Sequence, residues 1–160
     1  MKTENQQSRS SGHGKSARPR LGILGAGNFG GRLATLARTA GYEVLVGKRE
    51  NALSVAVQSE IFVIAIPFMA CTNAFPPLAA ALEGKVVVDP TNPLNADWSP
   101  VSFGDQSSAG EEVAKLLPGA RVVKAFNTVF AHDIAIFAPL CVGKIYVAMG
   151  SQLPAINASS

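Results

Sequence analysis

The stretch Leu21-Gly22-Ile23-Leu24-Gly25-Ala26-Gly27-Asn28-Phe29-Gly30 decides the fold. Leu21–Leu24 has the composition of a short buried strand, and three glycines in GxGxxG spacing follow it. Phe29, Leu33, Leu36, Ala37 and Ala40 then recur at helical spacing, with Arg32, Thr35 and Arg38 on the other side. Gly41 is placed to end that helix as its C′ residue. Glu43-Val44-Leu45-Val46 supplies the next strand. A GxGxxG run alone is a weak signal; strand, glycine turn, amphipathic helix and second strand in order make it a specific one.

In that setting each glycine has its own task. Gly25 makes the tight turn, Gly27 lets the backbone approach a pyrophosphate, and Gly30 lets the helix pack closely on the strand. A helix N-terminus also offers free N–H groups and partial positive charge to phosphates. Gly25, Ala26, Gly27, Asn28, Phe29 and Gly30 are therefore the candidate dinucleotide loop. The end of the second strand selects the dinucleotide. An NAD site usually places an acid there for the ribose hydroxyls, but this chain has Gly47-Lys48-Arg49. Lys48 and Arg49 can pair with a 2′-phosphate, Arg as a bidentate fork and Lys as a point charge. Glu50, the nearby acid, lies a little late. The expected cofactor is NADP(H) rather than NAD(H).

Outward from this unit, Ala52–Glu60 reads as a short helix and Ile61–Ile66 as a strand buried on both faces. Ala70–Leu82 reads as helical, bent or split by Pro76-Pro77. Lys85–Val88 is another strand. Ser108-Ala109-Gly110-Glu111 has capping-box form and starts a helix to Leu117, stopped by Pro118-Gly119. Val122–Phe126 and Ile145–Met149 complete the strands. Alternating strands and helices predict an α/β, Rossmann-type doubly wound parallel sheet in one domain over residues 21–150. Open sheets of this kind bind ligands at the carboxyl ends of their strands. This adds Ala65-Ile66-Pro67, Asp89-Pro90-Thr91-Asn92-Pro93 and Asn127-Thr128 as candidate contacts, whose amide and hydroxyl groups could hold a nicotinamide carboxamide. Asn92 can equally be a turn residue before proline, and Asn127 a strand-end cap.

The net charge of +3 is unevenly spread. Residues 1–20 carry five basic side chains against Glu4, whereas the remainder carries nine basic and ten acidic ones. These first residues read as a disordered basic leader, and residues 151–160 as a tail. The basic pI thus belongs to the leader, and a nucleic-acid surface is not implied. Gly14-Lys15-Ser16 echoes the end of a P-loop but lacks its first glycine and its strand. Cys71 and Cys141 form no CxxC or metal-ligand cluster and read as buried thiols, compatible with a reducing cytoplasm. No metal site and no membrane span are expected, nor does the N-terminus have a secretory core. His132-Asp133 reads as a surface pair. No side chain is identified as catalytic, because hydride transfer needs placement more than an acid or base.

The ordered series of motifs resembles a known family. Gly25–Gly30, Gly47-Lys48-Arg49, Asp89–Pro93 and Leu117-Pro118-Gly119-Ala120-Arg121-Val122-Val123-Lys124-Ala125-Phe126-Asn127-Thr128 resemble the NADPH-dependent, coenzyme F-420-type (deazaflavin) oxidoreductases. The Lys-Ala-Phe-Asn block also resembles the reductase domain of six-transmembrane metalloreductases. The resemblance covers about residues 21–150. It implies an enzyme, an NADP-dependent oxidoreductase that passes hydride from NADPH to a flavin or deazaflavin, a small-molecule acceptor, in the cytoplasm. It also implies that Lys48 and Arg49 meet the 2′-phosphate, and that Pro67, Asn92, Asn127 and Thr128 line the nicotinamide side.

Two departures from the family qualify this. Only 11 residues separate Arg49 from Ile61, so an edge strand is expected to be missing. The chain also stops soon after Met149, without the C-terminal piece that helps form the acceptor pocket in relatives. Phe68, Trp98 and Phe103 are the few candidates left for the acceptor half. Exposed faces where those elements would pack predict a homo-oligomer. A ferric-reductase-like domain acting with a partner, and a catalytically silent NADP-binding module, are the rival readings.

Overall fold

A computed structural model describes residues 18–103, 107–129, 131–134 and 148–149. The leader up to residue 17, Cys141 and the tail lie outside the described residues. Parallel strands β1 (Leu21–Leu24), β2 (Val44–Gly47), β3 (Ile61–Ile64), β4 (Val86–Asp89) and β5 (Arg121–Lys124) form one sheet. The order is β2-β1-β3-β4-β5-β6. The five strands form the expected parallel sheet, and β6 (Ala148–Met149) adds an antiparallel edge beside β5. An antiparallel edge strand on a parallel sheet is common, because an edge strand need not be reached by a crossover helix.

Period-2 alternation divides the core into two layers. Ile23, Val44 and Val63 pack with Ala34 and Ala37 of α1 (Asn28–Thr39) on one face. Leu24, Phe62, Ile64 and Val87 face the other way. They meet α2 (Ala52–Gln58), α3 (Cys71–Ala74), α4 (Ala79–Leu82) and α5 (Ala109–Leu116). Both faces are covered, as a doubly wound sheet requires. The expected α1 stripe needs one correction: Ala34 is buried and Ala40, already the C-cap, is exposed.

Local chemistry sets the element ends. Gly41 lies at φ +83°, with its N–H bonded to Arg38 and that of Tyr42 to Ala37. This is the Schellman pattern expected of a C′ glycine. Pro76-Pro77 does split the following helical stretch, a 3-10 turn at Pro76–Leu78 separating α3 from α4. Ser108 Oγ accepts from the Glu111 N–H while a Glu111 carboxylate oxygen accepts from the Ser108 N–H, closing the capping box of α5. The Lys85 ammonium donates to the carbonyls of Ala56 and Val57 at the C-terminus of α2, where a cation is favoured.

Order extends back beyond Leu21, the expected start. The backbone of Arg20 pairs with Glu60 in both directions, its side chain pairs with Glu43 at 2.8 Å, and Arg18 lies over the Tyr42 ring. The last basic residues of the expected leader therefore find partners on the domain. On α2, Leu53 and Val57 stand one helical turn apart and are exposed.

Candidate cofactor site

Strand order 2-1-3 means that the chain leaves β1 toward one side and returns to build the sheet on the other. The crevice this opens lies between the carboxyl ends of β1 and β3, where open α/β sheets bind ligands. The glycine loop closes one wall. Gly25 adopts φ +113°, and a Cβ there would stand 2.2 Å from the carbonyl oxygen of Ala65. A Cβ on Gly30 would stand 2.0 Å from the carbonyl oxygen of Gly25 and 2.9 Å from the Ala65 Cβ. The turn and packing roles are thus visible as close approaches of backbone to backbone.

Gly27 differs from both. A Cβ at Gly27 would meet nothing within 4 Å. It is the N-cap of α1, no side chain caps that end, and no acid occupies the first turn. Ala26, Gly27 and Asn28 are exposed, while Phe29, in the first turn of α1, is half-buried against the layer of Ile23, Val44 and Val63. The loop leaves open space over a helix N-terminus that no side chain caps, where backbone N–H groups and partial positive charge favour an anion.

At the end of β2, Lys48 and Arg49 are exposed. The ion pairs among the described residues use neither. The turn that carries them is pinned by Asn51, whose side-chain oxygen accepts from the Lys48 N–H at 2.8 Å. Asn51 was not apparent as a site residue from sequence; its signal was an amide three residues after Lys48.

Of the candidates at the later strand ends, a hydrogen bond joins Asn92 and Asn127. Ile66 is half-buried and Pro67 exposed where β3 ends. The Asn92 side-chain amide donates to the Asn127 carbonyl at 2.9 Å, tying the turn after β4 to the turn after β5. Asn92 is thus more than a turn residue. Thr128 is exposed beside Asn127. Phe126, in between, sits at φ +67°. A bulky side chain rarely adopts that conformation. It ends β5 at Lys124, two residues before the expected Phe126. Of the acceptor-half candidates, Phe68 and Phe103 meet edge to face at 5.5 Å, whereas Trp98 is 80% exposed.

Beneath these turns lies a polar cluster that the sequence did not reveal. Asp89 is fully buried and pairs with Lys124 at 3.0 Å. Cys71 lies in the same region. Burial first, then the negative charge of Asp89, push its thiol up to about 12, with Lys124 pulling the other way. The neutral thiol is the stable form at pH 8, and the side chain is buried from reagent. We expect native Cys71 to resist iodoacetamide at pH 8 and to react once the chain is unfolded, as read by peptide mass spectrometry. Rapid native labelling at Cys71 would contradict this.

Elsewhere, His132 and Asp133 pair at 3.2 Å on the surface. A concavity of about 270 Å³, lined by Ala79, Ala80, Glu83, Pro118 and Gly119, lies at the amino ends of β4 and β5, opposite the cofactor crevice. Among the described residues, no helix is long and apolar enough to cross a membrane. No group of three or more His, Cys, Asp or Glu side chains among them could hold a metal.

A protein from Arthrobacter sp. FB24 described as an F-420-dependent NADP reductase is 25% identical, with a TM-score of 0.65 over 72% of this chain and 66% of that one. The resemblance read from the motifs holds. A hypothetical protein of Sinorhizobium meliloti is 26% identical, with a TM-score of 0.63 over 74% of this chain and 66% of that one. Metalloreductase STEAP3 of Rattus norvegicus is 32% identical across 71% of this chain, which spans only 25% of that protein. No family model matches the chain. The fold is that of the NADP reductases, and the likenesses support an NADP-dependent oxidoreductase family.

Proposed function

We propose that this chain binds NADP(H) in the β1–β3 crevice and passes hydride between its nicotinamide and a flavin or deazaflavin. The observation that carries the reading is the open space at Gly27, on a helix N-terminus with no side-chain cap, together with two exposed cations at the end of β2 that pair with no acid among the described residues. In this reading the N–H groups from Ala26 to Gly30 meet the pyrophosphate, and Lys48 and Arg49 hold the 2′-phosphate. Ile66, Pro67, Asn92, Asn127 and Thr128 line the nicotinamide, orienting one ring face toward the acceptor. The cofactor supplies the hydride, and the chain supplies alignment and exclusion of water.

NADPH is expected to bind at least about tenfold more tightly than NADH. A charge-assisted hydrogen bond contributes about 1.5–3 kcal/mol, and the exposure of Lys48 and Arg49 places the gain near the lower end. Calorimetric titration with both nucleotides checks this, and equal affinities would remove the 2′-phosphate assignment.

The acceptor is tested by NADPH oxidation with FMN, FAD, a deazaflavin and a ferric chelate. Turnover with a free flavin or deazaflavin supports the reading. The likeness to a metalloreductase favours a second reading, a reductase domain whose acceptor is held by further protein. Tight NADPH binding without turnover in any arm would favour that second reading or a silent module. The exposed Leu53 and Val57 are consistent with self-association; a monomer at all concentrations by sedimentation would exclude it.

A further inference from the structure

The cluster beneath the turns after β4 and β5 ties those two turns together through directional bonds. Asp89 is the last residue of β4, Lys124 the last of β5, and they are register partners. The Lys124 ammonium, 17% exposed, donates to Asp89 Oδ2 at 3.0 Å and to the carbonyl of Thr91, with Thr91 Oγ1 at 3.5 Å. The other carboxylate oxygen, Asp89 Oδ1, accepts from the Thr91 N–H at 2.8 Å and from its hydroxyl at 2.7 Å. Thr91 is thus held at its nitrogen, its carbonyl and its side chain. The next residue is Asn92, whose amide reaches the carbonyl of Asn127, three residues beyond Lys124. The Ala125 N–H also bonds to the Asp89 carbonyl at 3.1 Å, fixing the start of the turn that carries Phe126 at positive φ.

A buried ion pair is a poor device for stability, since well-packed apolar residues often do as well or better. Its value lies in directional bonds that fix neighbouring groups. Here those bonds fix the turns that follow β4 and β5.

We propose that Lys124 and Asp89 are positioning residues that hold the Thr91–Asn92 and Phe126–Asn127 turns in register, and so set the nicotinamide end of the cofactor site. The proposal rests on the NADP(H) reading above. It predicts a polarised effect. The β2 end with Lys48 and Arg49 lies three strands away from β4 in the sheet, with no bond from the cluster reaching it.

The test compares two probes by calorimetry: NADPH, and 2′,5′-ADP, which lacks the nicotinamide half. Lys124→Met is expected to weaken NADPH roughly tenfold or more, with 2′,5′-ADP affinity unchanged within about twofold. Lys124→Arg, which keeps the charge and several donors, should recover part of the loss. If Lys124→Met does not fold, Asp89→Asn combined with Lys124→Met removes both charges, and the same split is expected. Equal loss of both probes in the folded variant, or no loss of NADPH, would overturn the proposal. Failure of the unmodified chain to bind either probe would instead bring down the NADP(H) reading and this inference with it.

Discussion

Replacing Gly27 by valine is expected to abolish binding of NADPH and NADH and to leave the fold nearly untouched. The backbone there, at φ −73° and ψ −167°, is one that valine adopts readily. A Cβ would touch no protein atom within 4 Å. The cost to folding is limited to a poorer N-cap, about 1 kcal/mol or a few degrees in Tm. The space the side chain fills is the space in which backbone must meet a pyrophosphate. Its branched methyls would also shield the first N–H groups of α1, so loss of binding is expected to exceed about a hundredfold, or roughly 3 kcal/mol. Calorimetry for affinity and thermal unfolding for the fold make the two readouts independent. Unchanged NADPH affinity in a folded variant would show that the loop is structural only.

What the sequence made legible was what is encoded locally. The glycine turn, the Schellman end at Gly41, the capping box at Ser108 and the break at Pro76-Pro77 each depend on a few adjacent residues. Lys48 and Arg49 were readable because a strand end beside a glycine loop is a known place for a charge to matter. The Asp89–Lys124 pair was not readable. An acid and a base 35 positions apart become partners only when β4 and β5 lie side by side in a particular register, and no local pattern specifies register between parallel strands. The role of Asn92 was hidden for the same reason, its partner being a carbonyl beyond the next strand. On α1 the exchange of Ala40 for Ala34 reflects the small-residue face needed where a helix approaches a sheet closely. Ala40 fits the spacing but lies past the last helical turn, at the C-cap, where the helix no longer faces the sheet.

Gly30→Ala is expected to produce a large loss of stability for a single added methyl. Two effects oppose each other. Glycine inside a helix is disfavoured against alanine by about 1 kcal/mol, so the substitution would stabilise an isolated α1. Within the fold, the new Cβ would lie 2.0 Å from the Gly25 carbonyl oxygen, far inside the 3.0 Å that real Cβ atoms respect. That oxygen belongs to backbone held at φ +113° against Ala65, so it cannot swing aside as a flexible side chain would. Relief requires α1 to lift from β1 and β3, opening the layer formed by Ile23, Ala34, Ala37 and Val63. We expect a loss above about 4 kcal/mol, a large part of the total for a domain of this size. At about 4 °C per kcal/mol, Tm should fall by roughly 15 °C or cooperative unfolding should disappear. Ala65→Gly in the same chain would remove the 2.9 Å contact and leave the 2.0 Å one, so it should not restore stability. An unchanged or raised Tm for Gly30→Ala would mean that the helix can shift away from the strand at little cost. Rescue by Ala65→Gly would place the decisive contact on that side chain instead of on the turn.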